Sequence, residues 1–331
     1  MISVSFVALK STVEVGAMTA GTLNEKRLGY FYEAAMCGSV RGAADRLNVE
    51  PSVVSRQIQL LEQDLGVALF ERKGRGIIAT EAAALVIAHC RNRMASEEAL
   101  RERIDDLAGL RRGTLNVVAG EGYMDLLMNG IVDTFGQQYP GVQVNVELAS
   151  AAEAVRKVAS DEAHLGIAMN PPAHPEVQIV REQSQPVCII AWPDHPLARR
   201  RATPSLQDAS RYSLATMGPG FGLHQLIRLA EFAENLQLAP TLTSSSIELL
   251  KRFVMKRLGL TFLSAGAAAS EIARGDLVAI RTTNAALESA KMRVIVRAER
   301  IQTAAARCMQ ELVGAALDAP AVARSARRVR T

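Results

Sequence analysis

The stretch SVRGAADRLNVEPSVVSRQIQLLEQDL, residues 39–65, holds two short helical patterns around a tight break. Ser39 suits an N-cap, because its hydroxyl can accept from a free N–H of the first turn. Ala43, Ala44 and Leu47 then recur at helical spacing. Residues 48–51 make the break: Asn48 tolerates turn geometry, and Pro51 fits the first turn of a helix. The second pattern puts Val54, Ile58, Leu61 and Leu65 on one face. Its other face carries Ser52, Ser55, Arg56, Gln59 and Gln63. Small alanines where two helices cross, a short turn, then a helix with a polar N-terminal edge are the parts of a helix-turn-helix. On such an edge Arg can bind guanine bidentately and Gln can bind adenine in the same way. An ordinary helical hairpin in a packed core has the same periodicity, and the pattern alone leaves both open.

The next residues, GVALFERKGRGIIAT at 66–80, read as a short strand, a basic glycine turn and a second strand, which is a wing. Taken together, GSVRGAADRL, SVVSRQIQLLEQDLG, LFERKGRG and the following Thr-Glu-Ala closely resemble the LysR-type transcriptional regulators, over residues 24 to about 313. Three positions depart from the family pattern: Pro51 stands where many members carry Gln, Ala79 where Leu is usual, and Ala83 where Gly is common. The resemblance implies an α/β protein with an N-terminal winged helix-turn-helix, a long linker helix, and two Rossmann-like α/β subdomains of periplasmic-binding-protein type. It also implies a homo-oligomer, a dimer paired through antiparallel linker helices or a tetramer. The implied partners are double-stranded DNA carrying an imperfect palindromic operator, a small-molecule effector held between the subdomains, and RNA polymerase. Pro51, Ser52, Ser55, Arg56 and Gln59 are the residues expected at the bases. Arg72, Lys73 and Arg75 on the wing are expected at phosphate or in the minor groove, with a structural ion pair the other role open to Arg72.

Composition narrows the class without naming the function. The 331 residues suffice for two or three domains, with 22% charged and 4% aromatic residues. The net charge of +4 is no argument for nucleic acid, since Arg324, Arg327, Arg328 and Arg330 in the tail account for all of it. Residues 24–80 are nearly balanced, eight Lys/Arg against seven Asp/Glu. DNA binding must therefore rest on where the charges stand. Cys37, Cys90, Cys188 and Cys308 are scattered with no zinc spacing, and read as small buried side chains of a cytoplasmic protein. No metal and no cofactor is expected. No apolar run approaches the length of a membrane span, and residues 1–20 make a poor signal peptide. Residues 1–23 read as a disordered extension, or as the product of an upstream start with Met18 as the true initiator.

Residues 25–37 read as the first helix, with Leu28, Phe31, Tyr32 and Ala35 inward. Residues 81–107 lack Gly and Pro and predict one helix about 40 Å long. Its apolar stripe, Ala83, Ile87, Cys90, Met94, Leu100, Ile104 and Leu107, weakens at Glu97 and Glu98. A hinge is expected at 109–113. Strand signals at 114–119, 143–148, 165–168, 187–192, 212–216, 261–263 and 292–297 then alternate with helical patterns at 125–139, 152–160, 223–235, 247–258 and 301–317. Such βα repeats argue for parallel sheets. The expected division is 113–183 with 284–317 as one subdomain, 184–283 as the other, and 318–331 as a basic tail.

Ligands of open α/β sheets bind where strand C-termini open into a crevice. Four loops qualify, supplying Gly120, Gly122 and Tyr123; Ser150; Met169; and Gly220, Phe221 and Gly222. Glycine loops at helix N-termini expose N–H groups, so a small carboxylate is the expected effector. Family members usually offer Ser or Thr hydroxyls in the first loop; Gly120 and Gly122 leave more room and fewer donors, with the Tyr123 phenol as substitute. Asp161-Glu162-Ala163-His164 spells a helicase box without a phosphate loop, and Gly218-x-Gly-x-Gly lacks dinucleotide spacing. His195 and Trp192 read as packing residues. No catalytic constellation converges on the loops. Two rivals remain at this point: a constitutive regulator with a ligand-blind α/β half, and an enzyme or transport-type binding protein built on that half.

Overall fold

The computed structural model describes residues 23–73, 76–107 and 112–318. The chain divides into two compact units, Met1–Arg91 and Asn92–Thr331. Residues 1–22, the wing tip with Gly74 and Arg75, most of the expected hinge (108–111) and the basic tail from 319 lie outside the described residues.

The first unit contains α1 (Glu25–Cys37), α2 (Val40–Leu47), α3 (Pro51–Leu65), β1 (Phe70–Lys73), β2 (Gly76–Ala79) and the start of α4 (Glu81–Leu107). Its punctuation follows local chemistry. Ser39 Oγ accepts from Gly42 N at 3.0 Å, Asn48 ends α2 in the left-handed region, and Pro51 opens α3. Leu28, Phe31, Ala34, Ala43, Ala44, Val54, Ile58 and Leu61 form the core. Ala34 is the fully buried member of α1's second turn, whereas Tyr32 and Ala35 are half-buried. The inward face thus sits slightly off the expected one. Strands β1 and β2 pair antiparallel, Phe70 against Ala79 and Lys73 against Gly76. The Glu62 carboxylate accepts from Leu69 N and Phe70 N, tying α3 to this hairpin. Thr80 Oγ1 accepts from Ala83 N to cap α4. Ala83 is fully buried, so the departure from Gly there is filled by packing.

The second unit adds β3 (Arg112–Ala119), α5 (Val132–Gln138), β4 (Gly141–Leu148), α6 (Ala151–Ala159), β5 (Leu165–Met169), β6 (Val177–Ser184), β7 (Val187–Ala191), β8 (Leu214–Met217), α7 (Gly222–Ala233), β9 (Leu242–Ser244), α8 (Ile247–Met255), β10 (Leu260–Ser264), β11 (Val278–Ile280), β12 (Lys291–Arg297) and α9 (Ala304–Asp318). These strands form two five-stranded sheets, ordered β4-β3-β5-β12-β6 and β11-β7-β10-β8-β9. Both are mixed, which corrects the expectation of parallel sheets. In the first, β12 runs antiparallel to β5 and β6; in the second, β7 runs antiparallel to β10 and β11. The cause is the connection between the sheets. β6 leads out of the first sheet and β12 returns into it, side by side, with Ser184 opposite Lys291.

Two further differences bear on the site. The helix expected over 125–139 breaks at Asn129 and Gly130, where Gly130 takes φ +95°. The stripe of α4 also divides. Ala83, Ile87 and Cys90 pack into the first unit, Ala95 and Ala99 are buried, and Met94, Leu100 and Ile104 stand exposed. No described helix is long and apolar enough to cross a membrane.

Candidate functional site

On the first unit, α3 turns Val54, Ile58 and Leu61 inward and leaves a polar edge outward. Ser52, Arg56, Gln59 and Gln63 are exposed along it, while Pro51 and Ser55 are half-buried. Arg56 forms no ion pair among the described residues. Nearby acids are otherwise engaged: Asp64 by Arg27, Glu33 by Arg46 at 3.5 Å, and Glu62 by the hairpin amides. The edge is therefore not neutralised from within. Arg41, exposed on α2, offers a further cation that the motif reading does not single out. Arg72 and Lys73 fall on β1, opposite Ile77 and Gly76, and Arg75 is outside the described residues.

In the second unit a small cleft of about 80 Å³ opens between the ends of the two sheets. It brings together Gly120, Gly122, Tyr123, Ser150, Met169, Phe221 and Gly222. Gly220, of the eight expected residues, is not in its wall. Ala149, Met217, Leu223, Ile247, Leu263 and Ala267 contribute to a mostly apolar lining, in which Glu121 and Ser264 are further polar residues. Gly122 does not leave the expected room, whereas a Cβ at Gly120 would meet only the Tyr123 ring, at 3.5 Å. A Cβ at Gly122 would lie 3.2 Å from Ile247 Cδ1 and 3.3 Å from Ala267 Cβ. A Cβ at Gly222 would lie 2.6 Å from the Met169 carbonyl oxygen. Both glycines permit close approach of the two sides. Ser150 caps α6 by accepting from Glu153 N. The Tyr123 hydroxyl is buried with no hydrogen-bond partner, and burial pushes its ionisation up.

Glu121, which the loop reading passes over, crosses this cleft. Its carboxylate accepts from Ser246 Oγ at 3.1 Å, Ile247 N at 2.6 Å and Glu248 N at 3.2 Å. Ser246 Oγ in turn accepts from Leu249 N at 3.3 Å. The N-terminal donors of α8 are thus taken up inside the protein. The sequence signal was a lone acid flanked by glycines at a strand end. Ser270 Oγ donates to Asp125 at 2.8 Å, a second bond between the two sides. Met169's carbonyl stands against the start of α7, which no side chain caps.

The helicase-like letters have a structural use. His164 Nε2 lies 3.0 Å from Glu98 on α4, and Asp161 faces Arg297 and Arg300. Arg300 donates to Glu98 at 2.7 Å, and Glu102 accepts from Ala304 N and Ala305 N at the start of α9. Burial alone would raise the Glu98 carboxyl, but His164 and then Arg300 outweigh it and hold it below the ordinary value. His195 is a packing residue: its Nδ1 accepts from Leu197 N, and its ring meets Trp192 and Tyr212 edge-on. Burial lowers its pKa. Cys188 lies in the core of the second sheet, with its thiol pushed up by burial to about 11, and Cys308 packs on the core of the first.

A family model described as the LysR substrate binding domain matches residues 108–318, and one described as a bacterial regulatory helix-turn-helix protein of the lysR family matches residues 26–84. The chain is 30% identical to the HTH-type transcriptional regulator CbbR of Xanthobacter flavus over 248 residues, 74% of this chain and 73% of that protein. It is 28% identical to the HTH-type transcriptional regulator BbuR of Bordetella bronchiseptica over 258 residues, 78% and 79% of the two chains. Among solved structures, ArgP from Mycobacterium tuberculosis matches with a TM-score of 0.64 at 18% identity, covering 90% of this chain and 98% of that one. A full-length OxyR variant from Pseudomonas aeruginosa matches with a TM-score of 0.62 at 20% identity, covering 92% and 97%. Both likenesses speak for the fold.

Proposed function

The chain belongs to the LysR family of bacterial transcriptional regulators, and from that premise we propose which of its residues read DNA and which receive the signal. It is a DNA-binding regulator with an effector-binding domain. The observation that carries the finer reading is the outward edge of α3, with Arg56 exposed and unpaired between Ser52 and Gln59. Ser52, Ser55, Arg56 and Gln59 meet base edges, Pro51 sets the start of that helix, and Arg41 with Arg72, Lys73 and Arg75 serves the phosphates or minor groove. Each copy supplies one recognition helix, so a homodimer or tetramer reads an imperfect palindrome. Contact with RNA polymerase belongs to the same reading, as does a cytoplasmic site of action. The α/β unit acts as a receptor and not as an enzyme.

The effector sits in the cleft between the two sheets, against Gly120, Gly122, Tyr123, Ser150, Met169, Phe221 and Gly222. It acts by favouring one arrangement of the assembly over another. A ligand-blind α/β half is the second reading, favoured by the mostly apolar lining of the cleft.

Arg56→Ala is the test. Its expected cost on the true operator is about 1–3 kcal/mol, with relaxed preference at one base pair, measured by mobility shift on operator and scrambled fragments. Equal weakening on both fragments would reduce Arg56 to a phosphate contact. Thermal-shift screening against small metabolites separates the receptor from the ligand-blind reading, because a ligand at 100 times its Kd adds about 2.7 kcal/mol.

A further inference from the structure

We propose that Glu121 is the resident carboxylate of the cleft: it takes the N-terminus of α8 for the protein itself, excludes anionic effectors, and leaves the space to a small uncharged, mainly apolar molecule. The proposal rests on the cleft being the effector site.

Three observations carry it. First, an incoming carboxylate would seek the N–H groups at a helix start, and those of α8 are already used. Ile247 N and Glu248 N donate to Glu121, and Leu249 N donates to Ser246 Oγ. Second, among the described residues Glu121 is the only charged one in the cleft wall, and no Lys, Arg or His joins it. A second anion would meet like charge with no cation to offset it, in a setting that screens poorly. Third, the start of α7, which no side chain caps, faces the Met169 carbonyl oxygen, which would lie 2.6 Å from a Cβ at Gly222, so an anion there would meet an acceptor lone pair. What is left is an apolar surface of Met169, Met217, Phe221, Ile247 and Leu263. Such a wall favours burial of a neutral hydrocarbon body over a charged one. The Glu121 bonds to Ser246 Oγ, Ile247 N and Glu248 N also join one side of the cleft to the other.

The experiment uses the full chain as wild type, Glu121→Ala and Glu121→Gln. Alanine removes the carboxylate and leaves its place at α8 free for a small anion. Sodium acetate should raise the Tm of Glu121→Ala by about 2–4 °C over sodium chloride at the same ionic strength, at a few times the acetate Kd. Wild type should respond alike to both salts. Benzamide and benzoate, matched in shape but one neutral and the other anionic, test selectivity by calorimetry. Wild type should prefer benzamide by at least tenfold, and Glu121→Gln, which keeps the size and one acceptor oxygen, should lose that preference. Acetate stabilising wild type as much as Glu121→Ala would overturn the proposal, as would wild type binding benzoate no worse than benzamide. Should Glu121→Ala not fold, the Glu121→Gln comparison decides alone. Operator binding by wild type, measured in parallel, separates this failure from that of the regulator assignment: loss of the acetate effect leaves specific DNA binding intact.

Discussion

At the scale of single residues, the cleft is shaped as much by missing side chains as by present ones. Gly222 and Gly120 make a useful pair. A Cβ at Gly222 meets the Met169 carbonyl oxygen at 2.6 Å, and a backbone atom cannot swing aside as a side chain can. A Cβ at Gly120 meets only the Tyr123 ring at 3.5 Å, an ordinary contact. Gly222→Ala should therefore cost about 1–3 kcal/mol of stability, by forcing the two sides of the cleft apart. Gly120→Ala should stay within about 0.5 kcal/mol. Urea denaturation of the two variants checks the ordering. Equal costs would mean that α7 does not approach Met169 closely in solution. In sequence a glycine in a loop reads as room, which suits Gly120 and fails for Gly122. Only the opposing wall, which comes from residues far away in the chain, turns Gly122 and Gly222 into contact points.

At the scale of elements, what was legible followed a local code. The Ser39 cap, the Pro51 helix start, the period of α3 and the βα alternation were all readable, because each depends on neighbours within one or two turns. β6, β9 and β11 were not readable. β9 and β11 are three-residue edge strands, and β6 carries Arg181, Glu182 and Gln183 on a largely exposed surface. Glu121 was missed for a related reason, since its partners lie on α8, more than a hundred residues on. The weak middle of α4 has a similar explanation. Glu98 interrupts the apolar stripe because it faces His164 and Arg300, and Glu102 because it meets the start of α9. Glu98 gives a pH test with a definite sign. Its carboxyl titrates below the ordinary value of 4.5 when folded, so the folded state takes up that proton less readily than the unfolded chain. Its contribution is complete above about pH 4.5 and is lost as pH falls through the lowered value. Glu98→Gln should cost about 1 kcal/mol at neutral pH, an amount kept small because the carboxylate is partly exposed. Denaturation curves of both proteins should converge on acidification. A gap that widens as pH falls would show that the carboxylate is not stabilised by its neighbours.

At the scale of the whole molecule, the question is how many copies act together. α4 leaves Leu100 at 58% and Ile104 at 55% exposure, one turn apart on the same face, with Met94 at 50% further up the helix. Large apolar side chains grouped on a long exposed helix usually serve a partner. The partner proposed for them is α4 of a second copy, packed antiparallel. Two copies would then present two α3 edges to one duplex, and binding of the second half-site becomes intramolecular once the first is held. Leu100→Glu combined with Ile104→Glu tests this. Both residues are exposed in the single chain, so the fold should keep its stability to within about 0.5 kcal/mol per site. Like charges meeting across the antiparallel pair should instead dissociate the assembly, read by sedimentation over a range of concentrations. Affinity for a fragment with both half-sites should drop towards that for one half-site alone, while affinity for the single half-site stays unchanged. A variant that sediments as wild type does would place the interface elsewhere on the chain. A variant that dissociates yet binds the full operator as tightly would mean that one copy reads the whole site, which a single recognition helix spanning part of one major-groove turn cannot do.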